Sequence, residues 1–170
     1  YEVIKQSSKT IRRNKGVSVQ RISPCIWLVD QAEEASKLYT ATFKNSRIGQ
    51  VSHYGDSASQ VSGIAKGTVM TVNIEVAGLP IQLLNGGPVF EHTPSVSIFV
   101  SCGSQSEVDQ IYQRLSPGGR TLMELGEYPF SERYVFFSDK FGVHWQLIYE
   151  QGAQQKARPA VIFDGEMQGQ

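Results

Sequence analysis

Three histidines, two cysteines and a few strand-borne amides are the groups in this chain that could do chemistry. His144 is the most suggestive of them. Val143, Trp145, Leu147 and Tyr149 alternate with His144, Gln146 and Ile148, the period of a strand with two distinct faces. An imidazole beside an amide on one strand face could serve a cavity as an acid/base or as a hydrogen-bond donor. The other reading is a histidine that only orients a neighbour or meets solvent. His53 and His92 fall near loops and read as structural or exposed. Cys25 and Cys102 each lie in or beside an apolar strand, as small core residues of a reducing compartment do, rather than as a disulfide. No nucleophile, base and acid can be assembled into a set from these positions.

Those residues must be positioned by strands and helices, and the order of elements occurs twice. From Ile22 to Asn85, and again from Ser95 to Glu150, a short apolar strand is followed by a helix and three further strands. In the first copy Ile22 to Val29 is the opening strand, with Cys25, Trp27 and Val29 on one face and Pro24, Ile26 and Leu28 on the other. Asp30 and Glu33 have the spacing of a capping box, and Ala32, Ala35, Leu38, Tyr39 and Thr42 recur at helical spacing. Arg47 to Tyr54 reads as a strand and Gly55 to Gly67 as a Ser/Gly-rich loop. Met70, Val72, Ile74 and Val76 alternate with polar residues before a turn at Gly78; the next strand ends at Asn85-Gly86-Gly87-Pro88. In the second copy Val96, Ile98 and Val100 oppose Ser95, Ser97 and Phe99. Ser104 to Glu107 is a second capping box, and Val108, Ile111, Tyr112 and Leu115 follow on one helix face. Strands are expected near Arg120 to Glu124, Arg133 to Ser138 and Val143 to Tyr149.

The expected class is α+β: paired βαβββ modules forming mixed, eight-stranded curved sheets with helices outside. The boundaries are a basic extension over 1–21, a domain over 22–152 (module one 22–90, module two 95–150) and a tail over 153–170. The tail contains Arg158 to Asp164, which echoes Ser23 to Asp30. It is either the first strand of a further repeat or a chance match, and such a strand could add to a sheet edge.

The 16 basic and 16 acidic residues cancel, so no overall field favours nucleic acid or an anionic membrane surface. No apolar run approaches the roughly 18 to 20 residues a membrane-spanning helix needs. A cytoplasmic protein with neither a nucleic-acid nor a membrane partner is expected.

Three segments carry a family resemblance: Pro24 to Phe43, with Gln31-Ala32-Glu33-Glu34-Ala35 and Tyr39; Leu83 to Pro88 with Phe90; and Asp139 to Gln146. With the strand order, they resemble the vicinal oxygen chelate superfamily of glyoxalase I, bleomycin and fosfomycin resistance proteins and extradiol dioxygenases. Within it they resemble the PhnB-like branch, which carries the label 3-demethylubiquinone-9 3-methyltransferase. The resemblance implies a cavity between modules and commonly a homodimer. In metal-using members four inward strand positions supply the ligands, and here they fall on Pro24, Gln82, Ser95 and Gln146. Proline has no side-chain donor, and two amides and a hydroxyl are weak ligands for a divalent ion. A site dismantled in this way needs no cofactor, although a divalent metal stays open. Methyl transfer is not expected either: Gly86-Gly87-Pro88 ends a strand and opens no helix.

Two functional classes follow. One is metal-free binding of a small molecule in a pocket of Ile26, Leu28, Leu84, Phe99 and Ile148, with Gln82, Ser97, His144 and Gln146 as hydrogen-bonding groups. The other is a metal-dependent lyase, isomerase or dioxygenase. Whether any reaction is catalysed is left undecided by the sequence.

Overall fold

The structure, a computed structural model, describes residues 23–162. The basic extension, Ile22 and the Phe163-Asp164 end of the C-terminal echo lie outside the described residues.

Module one runs β1 (Cys25–Leu28), α1 (Ala32–Thr42), β2 (Arg47–His53), α2 (Asp56–Ser62), β3 (Val69–Val76) and β4 (Leu79–Asn85). Module two runs β5 (Val96–Cys102), α3 (Gln105–Leu115), β6 (Arg120–Tyr128), β7 (Ser131–Ser138) and β8 (His144–Tyr149), and β9 (Lys156–Val161) follows it. The first sheet has the order β1-β4-β3-β2 and the second β6-β7-β8-β5-β9. In each the opening strand lies parallel to the module's last strand, and the other pairs within the module are antiparallel.

Both sheets bury one face beneath their helix. Ala32, Ala35 and Tyr39 of α1 and Val108, Ile111 and Leu115 of α3 join Val72, Ile81, Leu83, Val100 and Leu147 in a single core shared by both modules. That burial is the main favourable term for a fold whose hairpins would be marginal alone. An aromatic stack and a buried hydrogen bond are among the contacts that tie the modules directly. Phe43 stacks on Trp145 with ring centroids 5.1 Å apart, and the Tyr39 hydroxyl donates to Asp139 Oδ2 at 2.7 Å.

Two expectations change and one holds. The predicted capping box at α1 does not form: Gln31 is the N-cap residue and makes no side-chain cap bond. The Ala32 N–H instead donates to Asn85 Oδ1 at 2.8 Å, so the end of β4 starts the helix from across the sheet. The box at α3 does form, with Ser104 Oγ accepting from the Glu107 N–H and Glu107 Oε2 accepting from the Gly103 N–H. The loop expected over Gly55 to Gly67 contains α2, which buries no residue and ends at Gly63 with φ +74°. With Val61 almost wholly exposed, α2 has no apolar face for a periodicity argument to find.

The eight strands of the two modules are joined by a ninth. β9 runs antiparallel to β5 with Val96 opposite Val161 and Ser101 opposite Lys156, and so covers an edge that β5 would otherwise expose. Its Ala157 N–H also reaches across to the Ala77 carbonyl in the β3–β4 turn at 3.2 Å. Among the described residues no helix is long and apolar enough to cross a membrane.

Candidate functional site: a cavity between the two opening strands

A cavity of about 470 Å³ opens where the start of β1 faces the starts of β5 and β8. Pro24, Ile26, Val96, Ile98, Val143 and Pro159 give it an apolar wall; Ser97, His144, His92, Glu91 and Cys25 place polar atoms around it. Such a surface suits a largely apolar small molecule fixed by a few polar contacts.

Trp27 is the largest side chain of the wall, and the chain around it is shaped to hold it. Its Nε1–H donates to the Gly87 carbonyl at 2.8 Å, and Phe90 meets the ring edge-on at 5.0 Å. A Cβ on Gly86 would fall 2.3 Å from the indole, so no other residue fits there without displacing Trp27. Gly87 takes φ +80°, a left-handed conformation that favours glycine. The Asn-Gly-Gly-Pro breaker thus has a second role as the seat of an aromatic wall.

On the opposite wall runs a chain of buried hydrogen bonds. The Tyr134 hydroxyl donates to Gln146 Oε1 at 2.6 Å, and Gln146 Nε2 donates to Ser97 Oγ at 2.8 Å. Burial, with Tyr128 nearby, pushes the Tyr134 phenol up to about 12, so it stays a donor at neutral pH. His144 is buried beside this chain, and Phe136 lies edge-on to its ring. Burial and the neighbouring His92 both pull His144 below the ordinary histidine value, which keeps its imidazole neutral. His144 Nδ1 and His92 Nε2 are buried without a hydrogen-bond partner among the described residues. Orphaned polar atoms of this kind are rare in folded proteins and mark a wall that is incomplete by itself. Burial also pushes the Cys25 thiol up, away from thiolate chemistry.

A family model for 3-demethylubiquinone-9 3-methyltransferase matches residues 20–148. The chain belongs to this family. The PhnB protein of Bacillus cereus, described by the same enzyme name, is 32% identical over 77% of this chain and all of its own, with a TM-score of 0.69. A Pseudomonas aeruginosa protein is 23% identical over 78% of this chain and 98% of its own, with a TM-score of 0.65. FosX, a fosfomycin resistance protein of Listeria monocytogenes, is 20% identical over 76% of this chain and 92% of its own, at 0.52. These last two likenesses show the fold, which is that of the vicinal oxygen chelate superfamily. No curated protein matches the chain.

Some structures of FosX hold Mn(II), so the ligand positions of this PhnB-like chain can be tested for fit. Gln146 has both amide atoms committed, to Tyr134 and to Ser97. Gln82 donates from Nε2 to Asn73 Oδ1 at 3.2 Å, and the Pro24 carbonyl accepts from the Gln82 N–H. Ser95 is exposed, precedes β5 and uses its carbonyl to accept from the Ile162 N–H. The residue that meets Gln146 is Ser97, two positions along on the same face, so the register expected for this strand was displaced by one pleat. Among the described residues no three His, Cys, Asp or Glu side chains gather where they could hold an ion. Neutral amides and hydroxyls already bonded to each other do not fit a divalent cation.

The structure divides the expected pocket residues. Ile26, Ser97 and His144 reach the cavity wall. Gln146 stands one hydrogen bond behind Ser97, and Phe99 and Ile148 continue the same sheet face. Leu28 does not belong to the site. It is buried in the common core, because β1 pairs with β4 so that Ile26 and Leu83 share the helix-covered face. Gln82 and Leu84 pair with Cys25 and Trp27 on the opposite face. The expected set therefore mixed two faces of one sheet, Ile26 and Leu28 of β1 on one and Gln82 and Leu84 of β4 on the other, and the face with Cys25 and Trp27 is the open one. Trp27, Glu91 and His92 were missed. Their signal was the Asn85 to His92 connector, whose two glycines beside a strand tryptophan imply a close approach.

Proposed function

We propose that this PhnB-like chain binds a small, largely apolar molecule in the cavity between its modules without a metal ion. The observation that carries this reading is the Tyr134–Gln146–Ser97 chain, which spends on internal hydrogen bonds the atoms that would otherwise face a cation. The unpartnered imidazole nitrogens beside a 470 Å³ apolar cavity support a ligand as the missing partner. Methyl transfer draws no support from this geometry: Gly86 and Gly87 lead into a connector and hold Trp27, where a methyl-donor site would need a turn opening a helix.

We also infer a homodimer. Val96 on the cavity wall, its β9 partner Val161 with Ile162, and Val89 and Phe90 of the connector are exposed apolar residues, and a second copy would bury them. Both cysteines are free thiols, which suits a reducing, cytoplasmic setting.

The test is a titration of the full chain with Nile red, a neutral dye, before and after exhaustive chelation. Binding that survives chelation within about twofold supports the reading. Binding that disappears, and returns with manganese or zinc, would establish the metal-dependent alternative.

A further inference from the structure

We propose that the cavity is built for an aromatic ligand carrying a protonated amine, and that it turns away carboxylates, phosphates and phosphonates. This rests on the cavity-binding reading above and adds the charge of the ligand to it.

Among the described residues that line the cavity, Glu91 alone carries a full charge, and no lysine or arginine is present. Among the described residues, the two cations nearest in sequence to the lining are engaged elsewhere. Arg158, which adjoins Pro159, stacks its guanidinium 4.3 Å from the centre of the Phe99 ring and donates to Ser101 Oγ at 3.2 Å. Its remaining charge partner is Glu150, at 3.8 Å. Lys140, near the turn that leads to Val143, pairs with Glu34. An anion entering the cavity would surrender water to an apolar wall whose described residues supply no countercharge, which is costly.

A cation meets the opposite situation. Glu91 is exposed at the rim and free to approach it. The indole of Trp27, held in place by Gly86 and Gly87, is a wall component of the kind that attracts ammonium groups when water is excluded. Ser97 and His144 offer hydrogen-bonding atoms to a nitrogen-bearing ligand, and a neutral imidazole does not repel it. An aromatic ring would fill the apolar part beside Ile98, Val143 and Pro159.

Three probes of one shape separate the possibilities: naphthalenemethylamine, naphthalenemethanol and naphthoate, titrated calorimetrically into the full chain at about pH 8, where ordinary imidazoles are neutral. The amine is expected to bind about tenfold more tightly than the carboxylate, the size expected of one favourable charge contact with an aromatic wall. Glu91→Gln, a change at an exposed position, is expected to shrink that gap to roughly threefold, as removal of one exposed charge should. Equal or tighter binding of naphthoate, or a gap untouched by Glu91→Gln, overturns the proposal. If the alcohol binds while charge makes no difference, the proposal alone fails. If none of the three binds, the cavity-binding reading fails with it.

Discussion

Asp139 and His144 lie in one turn-and-strand segment, and both are buried, yet their surroundings differ in kind. Asp139 accepts from the Tyr39 hydroxyl at 2.7 Å, the Trp145 indole N–H at 2.9 Å, and the backbone N–H groups of Phe141 and Val143 at 2.8 and 3.1 Å. Burial pushes its carboxyl above the usual carboxylate value, and those four donors pull the other way. His144, across the same segment, has a buried nitrogen with no partner among the described residues. A buried polar group with every valence filled belongs to the fold, where it joins α1 to β8. One with a valence open belongs to a surface that something else completes.

The contrast can be broken most forcefully at Asp139. Asp139→Ala strands four donors in the core and should cost about 3 kcal/mol or more in denaturant unfolding, since each unsatisfied buried group costs about 1 to 3. A loss below about 1 kcal/mol would mean that the carboxylate is not the hub its contacts suggest. Gly86→Ala comes next, because a Cβ 2.3 Å from the Trp27 ring forces the indole or the connector to move. Overpacking of this kind costs roughly 1 to 3 kcal/mol. It should also change Trp27 emission and weaken dye binding, whereas Asp139→Ala lowers stability with no selective effect on the cavity. Asn85→Ala should remove about 1 kcal/mol, the ordinary worth of a helix cap, because Asn85 Oδ1 caps α1. Helicity measured by circular dichroism should fall with it.

The smallest effect is expected at His144, and it depends on pH. Its folded value lies below the ordinary one, so the unfolded chain binds a proton more readily than the folded chain does. The neutral side chain's full contribution is present above the ordinary histidine value of about 6.5, and stability declines as pH falls from there toward the lower folded value. His144→Gln should flatten that decline and leave stability near neutrality almost unchanged. A large loss at neutral pH would place His144 with Asp139 among the residues that hold the fold.

What the sequence disclosed follows the same division. Strand and helix order was legible because Val72, Ile74 and Val76, or Val108, Ile111 and Leu115, repeat with the period of their element. The faces of β5 and β8 were legible too, since Ser97, Phe99, Gln146 and Ile148 alternate with large apolar residues. β1 was harder. Its four residues are apolar or small on both faces, so alternation could not tell Ile26 and Leu28 from Cys25 and Trp27, and only pairing with β4 decides. Asp139 is unremarkable in a sequence because its partners come from α1 and β8, and Tyr39 stands 100 positions away. Glu91 and His92 sit in a connector with no period at all.

The central proposal is that this PhnB-like cavity works without a coordinated ion. Elemental analysis of the purified full chain, on the same preparation used for dye titration, tests that claim directly. Far less than one transition-metal ion per chain, with dye binding intact, is the predicted result. One manganese, zinc, iron or nickel per chain, lost together with binding on chelation, would contradict it.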